Sequence, residues 1–102
     1  MLLTLAAGPA HAAPPIAARV TATGVYGNGD VYVMLDTEIA EPACPMARFD
    51  VPGSSPAAKS ILATAQLAIA TGKSIRIATS GCFGAIPTLD ISRSAFFYLN
   101  GS

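Results

Sequence analysis

The chain has 102 residues, with six basic and six acidic side chains that leave no net charge at pH 7, and its composition is 52% hydrophobic and only 12% charged. A chain of this length holds one small domain, and without an excess of Lys and Arg it lacks the basic surface that nucleic-acid binding requires, so no nucleic-acid partner is expected. So little charge leaves a monomer short of solvated surface, which indicates self-association, although an exported monomer rich in small residues would have the same composition.

The first twelve residues differ from the remainder of the chain. Met1–Ala7 is a short apolar run, and Ala10-His11-Ala12 has the small-x-small pattern that a signal peptidase reads. We interpret residues 1–12 as a signal peptide without the usual charged start, the alternative being an ordinary hydrophobic tail. Residues 13–102 then form a single secreted or periplasmic domain. Nothing approaches the ~20 consecutive apolar residues of a spanning helix, so no membrane span is expected.

Five segments alternate in hydrophobicity or are rich in β-branched and aromatic residues, as strands are. The first two flank Gly27–Asp30, where the Asn28-Gly29 pair favours a tight hairpin turn. Pro-Gly or Cys-Pro pairs interrupt the chain elsewhere. The predicted strands are Ile16–Tyr26, Val31–Ile39, Met46–Val51, Ser74–Ile77 and Thr88–Leu99.

One helix is predicted over Ala57–Thr71, where alanine, leucine and isoleucine dominate. Ser55 is suited to cap its first turn and Pro56 to open it, while Gly72 is suited to the left-handed conformation that ends a helix. Helical spacing predicts a buried face, which consists of Ala58, Leu62, Ala65 and Ile69.

The element order is three strands, a helix and two strands. This order predicts a mostly β fold with one helix, specifically a five-stranded barrel of the OB-fold type whose helix lies between strands three and four. The competing topology is a small α+β sheet covered by one helix.

Cys44 and Cys82 are the only cysteines, and in an exported chain a lone pair indicates a disulfide. A metal or redox site is the alternative, but the spacing is not CxxC and His11 is the only histidine. We therefore expect no metal and no cofactor.

The sequence favours a protein that is not an enzyme. Once residues 1–12 are removed, no histidine remains to act as the base of a Ser-His-Asp triad, and no Gly-x-Ser-x-Gly motif is present. The carboxylates are expected to lie on turns and outward strand faces, in contact with solvent. Phe96–Tyr98 is expected to lie half in the core and half on the surface, the alternative being a pocket that stacks on the ring of a sugar or base. These carboxylates are Asp30, Asp36, Glu38, Glu41, Asp50 and Asp90.

Residues 62–77, LATAQLAIATGKSIRI, resemble the helix, Thr-Gly pair and Val-Arg-Ile strand of the B subunits of subtilase cytotoxin and its relatives among bacterial AB5 toxins. Small exported bacterial proteins share the same order of features. In this chain those features are Gly29–Val33, Cys44-Pro45, Ala57–Lys73, Gly81-Cys82 and Phe96–Leu99.

The resemblance implies an OB-fold protomer, a homopentameric ring, a toxin A subunit as partner and recognition of cell-surface glycans. Asp30 lies at the start of the second strand, where its carboxylate would repel that of a sialic acid, so neutral sugars are the expected ligands. Asn28, Asp30 and Tyr32 are the candidate ligand-binding residues. The alternative is a periplasmic structural or protein-interaction module with no sugar site.

Overall fold

The computed structural model describes residues 13–89 and 95–101. Within these ranges the chain forms eight strands and one helix, so the predicted mostly β fold with one helix is confirmed. The predicted signal peptide and the middle of the predicted last strand lie outside the described residues. The elements are β1 (Ile16–Ala18), β2 (Val20–Val25), β3 (Val31–Ile39), β4 (Met46–Val51), α1 (Ala58–Thr71), β5 (Ile75–Ala78), β6 (Cys82–Phe83), β7 (Ile86–Pro87) and β8 (Phe96–Leu99).

The strands form two three-stranded antiparallel sheets with the orders β1-β5-β8 and β2-β3-β4, and a two-stranded β6-β7 hairpin. The predicted first strand is two strands, because β1 pairs with β5 while β2 pairs with β3. The chain therefore passes from one sheet to the other at Arg19. A parallel bridge joins Asp50 to Thr88, at the end of β4.

The core lies between the inner faces of the sheets and the helix. Alternate residues of β3 and β4 point into it, because successive side chains of a strand point to opposite faces. Phe97 of β8 meets Phe49 of β4 edge-on, with ring centroids 5.2 Å apart. Tyr98 is exposed and stacks on Phe96, so the aromatic run divides between core and surface as expected. The inward residues of β3 and β4 are Val31, Val33, Leu35, Ile39, Phe49 and Val51.

The helix begins one residue later than predicted and has no side-chain cap. Ala57 occupies the cap position, and the Ser55 hydroxyl accepts a hydrogen bond from the Ala57 N–H at 3.2 Å instead of capping the first turn. Gly72 ends the helix as predicted, with a φ of 70° and its N–H bonded to the Ala68 carbonyl. In the part of the chain that is described, no helix is long and apolar enough to cross a bilayer.

The predicted buried face of the helix is wrong in two of four positions. Ile61 and Ala68 are buried, whereas Leu62 is only partly buried and Ile69 is exposed. Alanines surround the helix on most sides, so spacing alone does not distinguish one stripe from the next. The buried face is the one whose alanine side chains allow the helix to pack closely against the sheets. The buried residues are Ala58, Ile61, Ala65 and Ala68.

The predicted disulfide is present between Cys44 and Cys82, whose Cα atoms are 6.2 Å apart. It attaches the β6-β7 hairpin to the segment that precedes β4. This hairpin lies between the predicted strands Ser74–Ile77 and Thr88–Leu99, where no strand was predicted, and Pro87 pairs with Cys82 in it. Backbone bonds from Ser80 to Thr88 and from Thr88 to Gly81 extend the pairing.

Two carboxylates expected on the surface are buried. Glu41 accepts a hydrogen bond from the Thr79 hydroxyl, and Asp50 pairs with Arg48. Thr79 is 38 positions from Glu41, so no local pattern indicated the burial of Glu41, whereas Arg48 is two residues from Asp50 on the same strand face. A buried carboxylate requires such partners, because desolvation without them is costly.

Candidate functional site

The turn between β2 and β3 contains two of the three candidate ligand-binding residues. The Gly29 N–H donates to the Tyr26 carbonyl at 2.9 Å, and Gly29 has a φ of 95°, which glycine adopts without steric cost. The Asn28 side-chain oxygen accepts a hydrogen bond from the Asp30 N–H at 3.0 Å. The Asn-Gly pair therefore forms the turn that the sequence predicted, and Asn28 is part of its internal bonding.

The Asp30 carboxylate holds this turn against the loop that follows β4. One oxygen accepts a hydrogen bond from the Gly53 N–H at 2.8 Å, and the other accepts one from the Asn28 side-chain amide at 3.0 Å. Each carboxylate oxygen has further lone-pair capacity, so a ligand hydroxyl can still approach Asp30. Its first role in this structure is nevertheless to join two loops.

Tyr32, the third candidate, lies on the outer face of the β2-β3-β4 sheet. Its ring is 5.3 Å from that of Tyr26, measured between centroids, with a tilt of 47°. The Arg48 guanidinium carbon is 5.7 Å from the Tyr32 centroid and 5.8 Å from the Tyr26 centroid, within cation–π range of both rings. We refer to Tyr26, Tyr32 and Arg48 as the aromatic cluster.

Strand alternation explains why these side chains meet. Tyr32 pairs with Asp50 on β4 and with Gly24 on β2, so the three residues share one face of the sheet. Arg48 is two residues from Asp50 and therefore points the same way. Gly24 leaves room for the tyrosine, since a Cβ at that position would be 2.9 Å from the Tyr32 hydroxyl oxygen.

Asp50 fixes the position and the charge of Arg48. Its two carboxylate oxygens accept hydrogen bonds from Arg48 Nε at 2.8 Å and from a terminal guanidinium nitrogen at 3.0 Å, and that nitrogen also donates to the Tyr26 hydroxyl. Asp50 is only 4% exposed. Its hydrogen bonds and negative charge raise the pKa of Arg48, so the guanidinium remains charged.

The structure joins Asn28 to Asp30 by hydrogen bonds and places Tyr32 against Tyr26 and Arg48. Tyr26 and Arg48 were not predicted from the sequence as site residues. Arg48 and Asp50 are two residues apart in a predicted strand, a spacing that places them on one face, and this was the available signal for the ion pair. Contact between Tyr26 and Arg48, 22 positions apart, depends on the pairing of β2, β3 and β4.

The aromatic cluster and the neighbouring turn together offer groups that can pack against a ligand and hydrogen-bond to it. They present two aromatic rings, one fixed cation whose charge is balanced by Asp50, and the amide of Asn28. Among residues 13–89 and 95–101, no cluster of three or more His, Cys, Asp or Glu side chains is placed to hold a metal ion. No protein-family model, no curated protein and no solved structure matches this chain.

Proposed function

We propose that this protein is an exported, non-enzymatic carbohydrate-binding domain that resembles the B subunits of AB5 toxins and binds neutral sugars at the aromatic cluster. The observation that carries the proposal is the tilted Tyr26–Tyr32 pair, held by Arg48 beside the Asn28–Asp30 turn. The C–H faces of a sugar ring pack on aromatic rings, and neighbouring amides and carboxylates bond its hydroxyls.

The charges near the cluster favour a neutral sugar. Arg48 is already paired with Asp50, so its charge is not available to bind an anionic sugar, and Asp30 adds negative charge at the adjacent turn. A sialic acid carboxylate would be repelled by Asp30. Tyr26 and Tyr32 then provide the packing surface, while Asn28 and the remaining lone pairs of Asp30 bond hydroxyls.

The barrel is part of the same proposal. Three observations support an OB-fold: residues 16–25 take part in both sheets, the helix lies between β4 and β5, and a parallel bridge joins Asp50 to Thr88. The Asp50–Thr88 bridge supports a barrel because it is a contact between β4 and the start of the predicted last strand. The disulfide supports export to an oxidising compartment, either the periplasm or the medium.

The second candidate function is that of a self-associating interaction module, with assembly through α1. Leu67 and Ile69 are 51% and 45% exposed, and Lys59 is the only charged residue on the helix. A second copy of this chain would cover these side chains without burying a charge. A homopentameric ring beside a toxin A subunit is the assembly that the resemblance implies.

A glycan array of neutral and sialylated sugars tests the carbohydrate-binding proposal. We expect the wild type to retain neutral sugars, Tyr26→Ala to lose them, and Tyr98→Ala to retain them. Tyr98 is a matched control because it is 49% exposed, against 43% for Tyr26, and lies on β8, outside the cluster. If neither the wild type nor Asp30→Ser retains any sugar, the carbohydrate-binding proposal is wrong.

Light scattering on residues 13–102 tests the assembly. A mass above that of one chain at micromolar concentration, reduced by Leu67→Lys together with Ile69→Lys, supports association through α1. A strict monomer would contradict the homopentameric ring. The carbohydrate-binding proposal would then be tested by the glycan array alone.

A further inference from the structure

We propose that a cavity between loop 52–56 and the β6-β7 hairpin, called the second cavity because it is a second candidate site beside the aromatic cluster, binds an uncharged small molecule that contains an apolar ring. The cavity has a volume of about 380 Å³. Its loop wall is formed by Pro52 and residues 54–56, and its hairpin wall by Cys82, Phe83, Thr88 and Leu89. None of these residues belongs to the aromatic cluster or to the Asn28–Asp30 turn, so the two proposed sites have no ligand-contacting residue in common.

The size and lining of the cavity identify the class of ligand. Cavities that bind small organic molecules have volumes of roughly 300–1,000 Å³ and mainly apolar walls with a few polar groups. The apolar walls here are Pro52, Pro56, Phe83 and Leu89, and none of the lining residues within the described ranges is charged. An ionic ligand would lose hydration on entry without gaining an opposite charge, so an uncharged ligand is favoured.

Two serine hydroxyls on the loop wall supply the polar contacts. Ser55 accepts a hydrogen bond from the Ala57 N–H and can still donate its own proton. Ser54 is exposed, and none of the hydrogen bonds among the described residues engages its hydroxyl. The Thr88 hydroxyl donates to the Asp50 carbonyl at 2.6 Å, so it contributes less to a ligand. The ligand therefore has one hydrogen-bonding edge, which faces the serines.

The loop wall is fixed by bonds that do not require a ligand. The Gly53 N–H donates to the Asp30 carboxylate at 2.8 Å, and the Ser55 N–H donates to the Pro52 carbonyl at 2.9 Å. Gly53 also packs directly on the Gly29 backbone, where a Cβ would be 2.7 Å from the carbonyl atoms. The loop is thus held in place before binding.

The hairpin wall is fixed in the same way. The disulfide joins Cys82 to the buried Cys44, and backbone hydrogen bonds link Ser80 and Gly81 to Thr88. Because both walls are ordered in the free protein, binding does not have to pay for their ordering. Proline and phenylalanine side chains on facing walls suit a flat ring between them.

Indole is the probe for this site, since it is an uncharged fused ring with one N–H donor. In a ¹⁵N-labelled sample we expect indole to shift the amide signals of Ser54, Ser55 and Phe83, with a dissociation constant of about 1 mM, as befits its size. Indole-3-carboxylate, with the same ring and a negative charge, should bind at least about tenfold more weakly.

Ser54→Leu fills the mouth of the cavity and should weaken indole binding at least about tenfold. Ser60→Leu is the matched control, because Ser60 does not line this cavity but a neighbouring one of about 240 Å³ between α1 and β8, with which it shares Leu89. It should leave indole binding unchanged, and the spectra of both variants report directly whether each is folded.

Any of the following results would overturn the proposal. These are equal binding of the carboxylate analogue, indole shifts centred on Ser60 and Phe96 instead of Ser54 and Phe83, or no shifts at about 5 mM indole. Shifts at Ser54 and Phe83 produced by methyl glucoside but not by indole would also reject the ligand class. None of these results bears on the aromatic cluster, whose test is the glycan array.

Discussion

The carboxylate of Asp30 accepts a hydrogen bond from the backbone N–H of Gly53 at 2.8 Å, and the two residues join the loops at one end of the β2-β3-β4 sheet. Asp30 belongs to the turn beside the aromatic cluster, and Gly53 belongs to the loop that lines the second cavity. The two proposed sites therefore share a structural support. A change at either residue is expected to affect the order of both loops.

Gly53→Ala should destabilise the fold by about 2 kcal/mol, because the new Cβ would be 2.7 Å from the Gly29 backbone and one of the two chain segments must move. Urea unfolding measures the change. Gly27→Ala is the control, since a Cβ there meets nothing within 4 Å, and it should cost less than about 0.5 kcal/mol. Equal effects for the two variants would show that the loops are not in close contact.

Ile61→Ala and Ile69→Ala test which face of α1 is buried. Ile61 is 8% exposed and Ile69 is 45% exposed, so Ile61→Ala should cost about 3 kcal/mol and Ile69→Ala less than about 1 kcal/mol. The free energy of unfolding is measured on dilute protein, where self-association does not contribute. A larger loss of unfolding free energy for Ile69→Ala than for Ile61→Ala would show that the face predicted from the sequence is the buried one.

Loss of the disulfide should lower the free energy of unfolding by about 4 kcal/mol, because it closes a loop between residues 38 positions apart and limits the unfolded chain. The double variant Cys44→Ala, Cys82→Ala is compared with the wild type in urea, each with and without dithiothreitol. The reductant should lower the midpoint of the wild type alone. An unchanged wild-type midpoint in reductant would contradict a stabilising role.

Asp36→Asn should change the pH dependence of the free energy of unfolding. The Arg19 backbone N–H, at 2.9 Å, and the Thr37 hydroxyl, also at 2.9 Å, bond the Asp36 carboxylate and lower its pKa below the ordinary 3.8. A carboxyl group whose pKa is lower in the folded state stabilises the fold above its unfolded-state pKa, and this contribution is lost as the pH falls through the folded-state pKa.

The variant should therefore be less stable than the wild type near neutral pH, with a gap that closes as the pH falls below 3.8. Urea midpoints from about pH 7 to about pH 2 measure the gap. Glu38→Gln, an exposed change two residues further along β3, should show no comparable gap. A gap that stays constant with pH would mean that the carboxylate charge at Asp36 is not responsible.

Local sequence was sufficient where a single segment determines its own conformation. The bounds of β3 and β4 agree with the prediction, because turn or proline signals lie on both sides of each strand. Gly72 ended the helix as expected, since glycine takes a positive φ without a Cβ clash. The disulfide followed from a single cysteine pair in a chain with export features.

Local sequence was insufficient where the outcome depends on which segments pack together. The division of the first strand at Arg19 arises because β1 and β2 have different partners, and the β6-β7 hairpin depends on its attachment to Cys44. The burial of Asp50 required Arg48 on the same face of a paired strand. The first two features depend on contacts with residues outside the segment concerned, and the burial of Asp50 depends on the pairing of its strand.

The amino-acid sequence by itself determined the type and order of most elements, the turn at Asn28-Gly29 and the covalent link, because each follows from backbone preferences or from a pair with no competing partner. Only the tertiary structure decided which stripe of α1 is buried, that Asp30 joins its turn to Gly53, and that Tyr26 and Arg48 complete the site around Tyr32. The physical reason is that these contacts join residues distant in sequence, and their energies exist only after the sheets have paired.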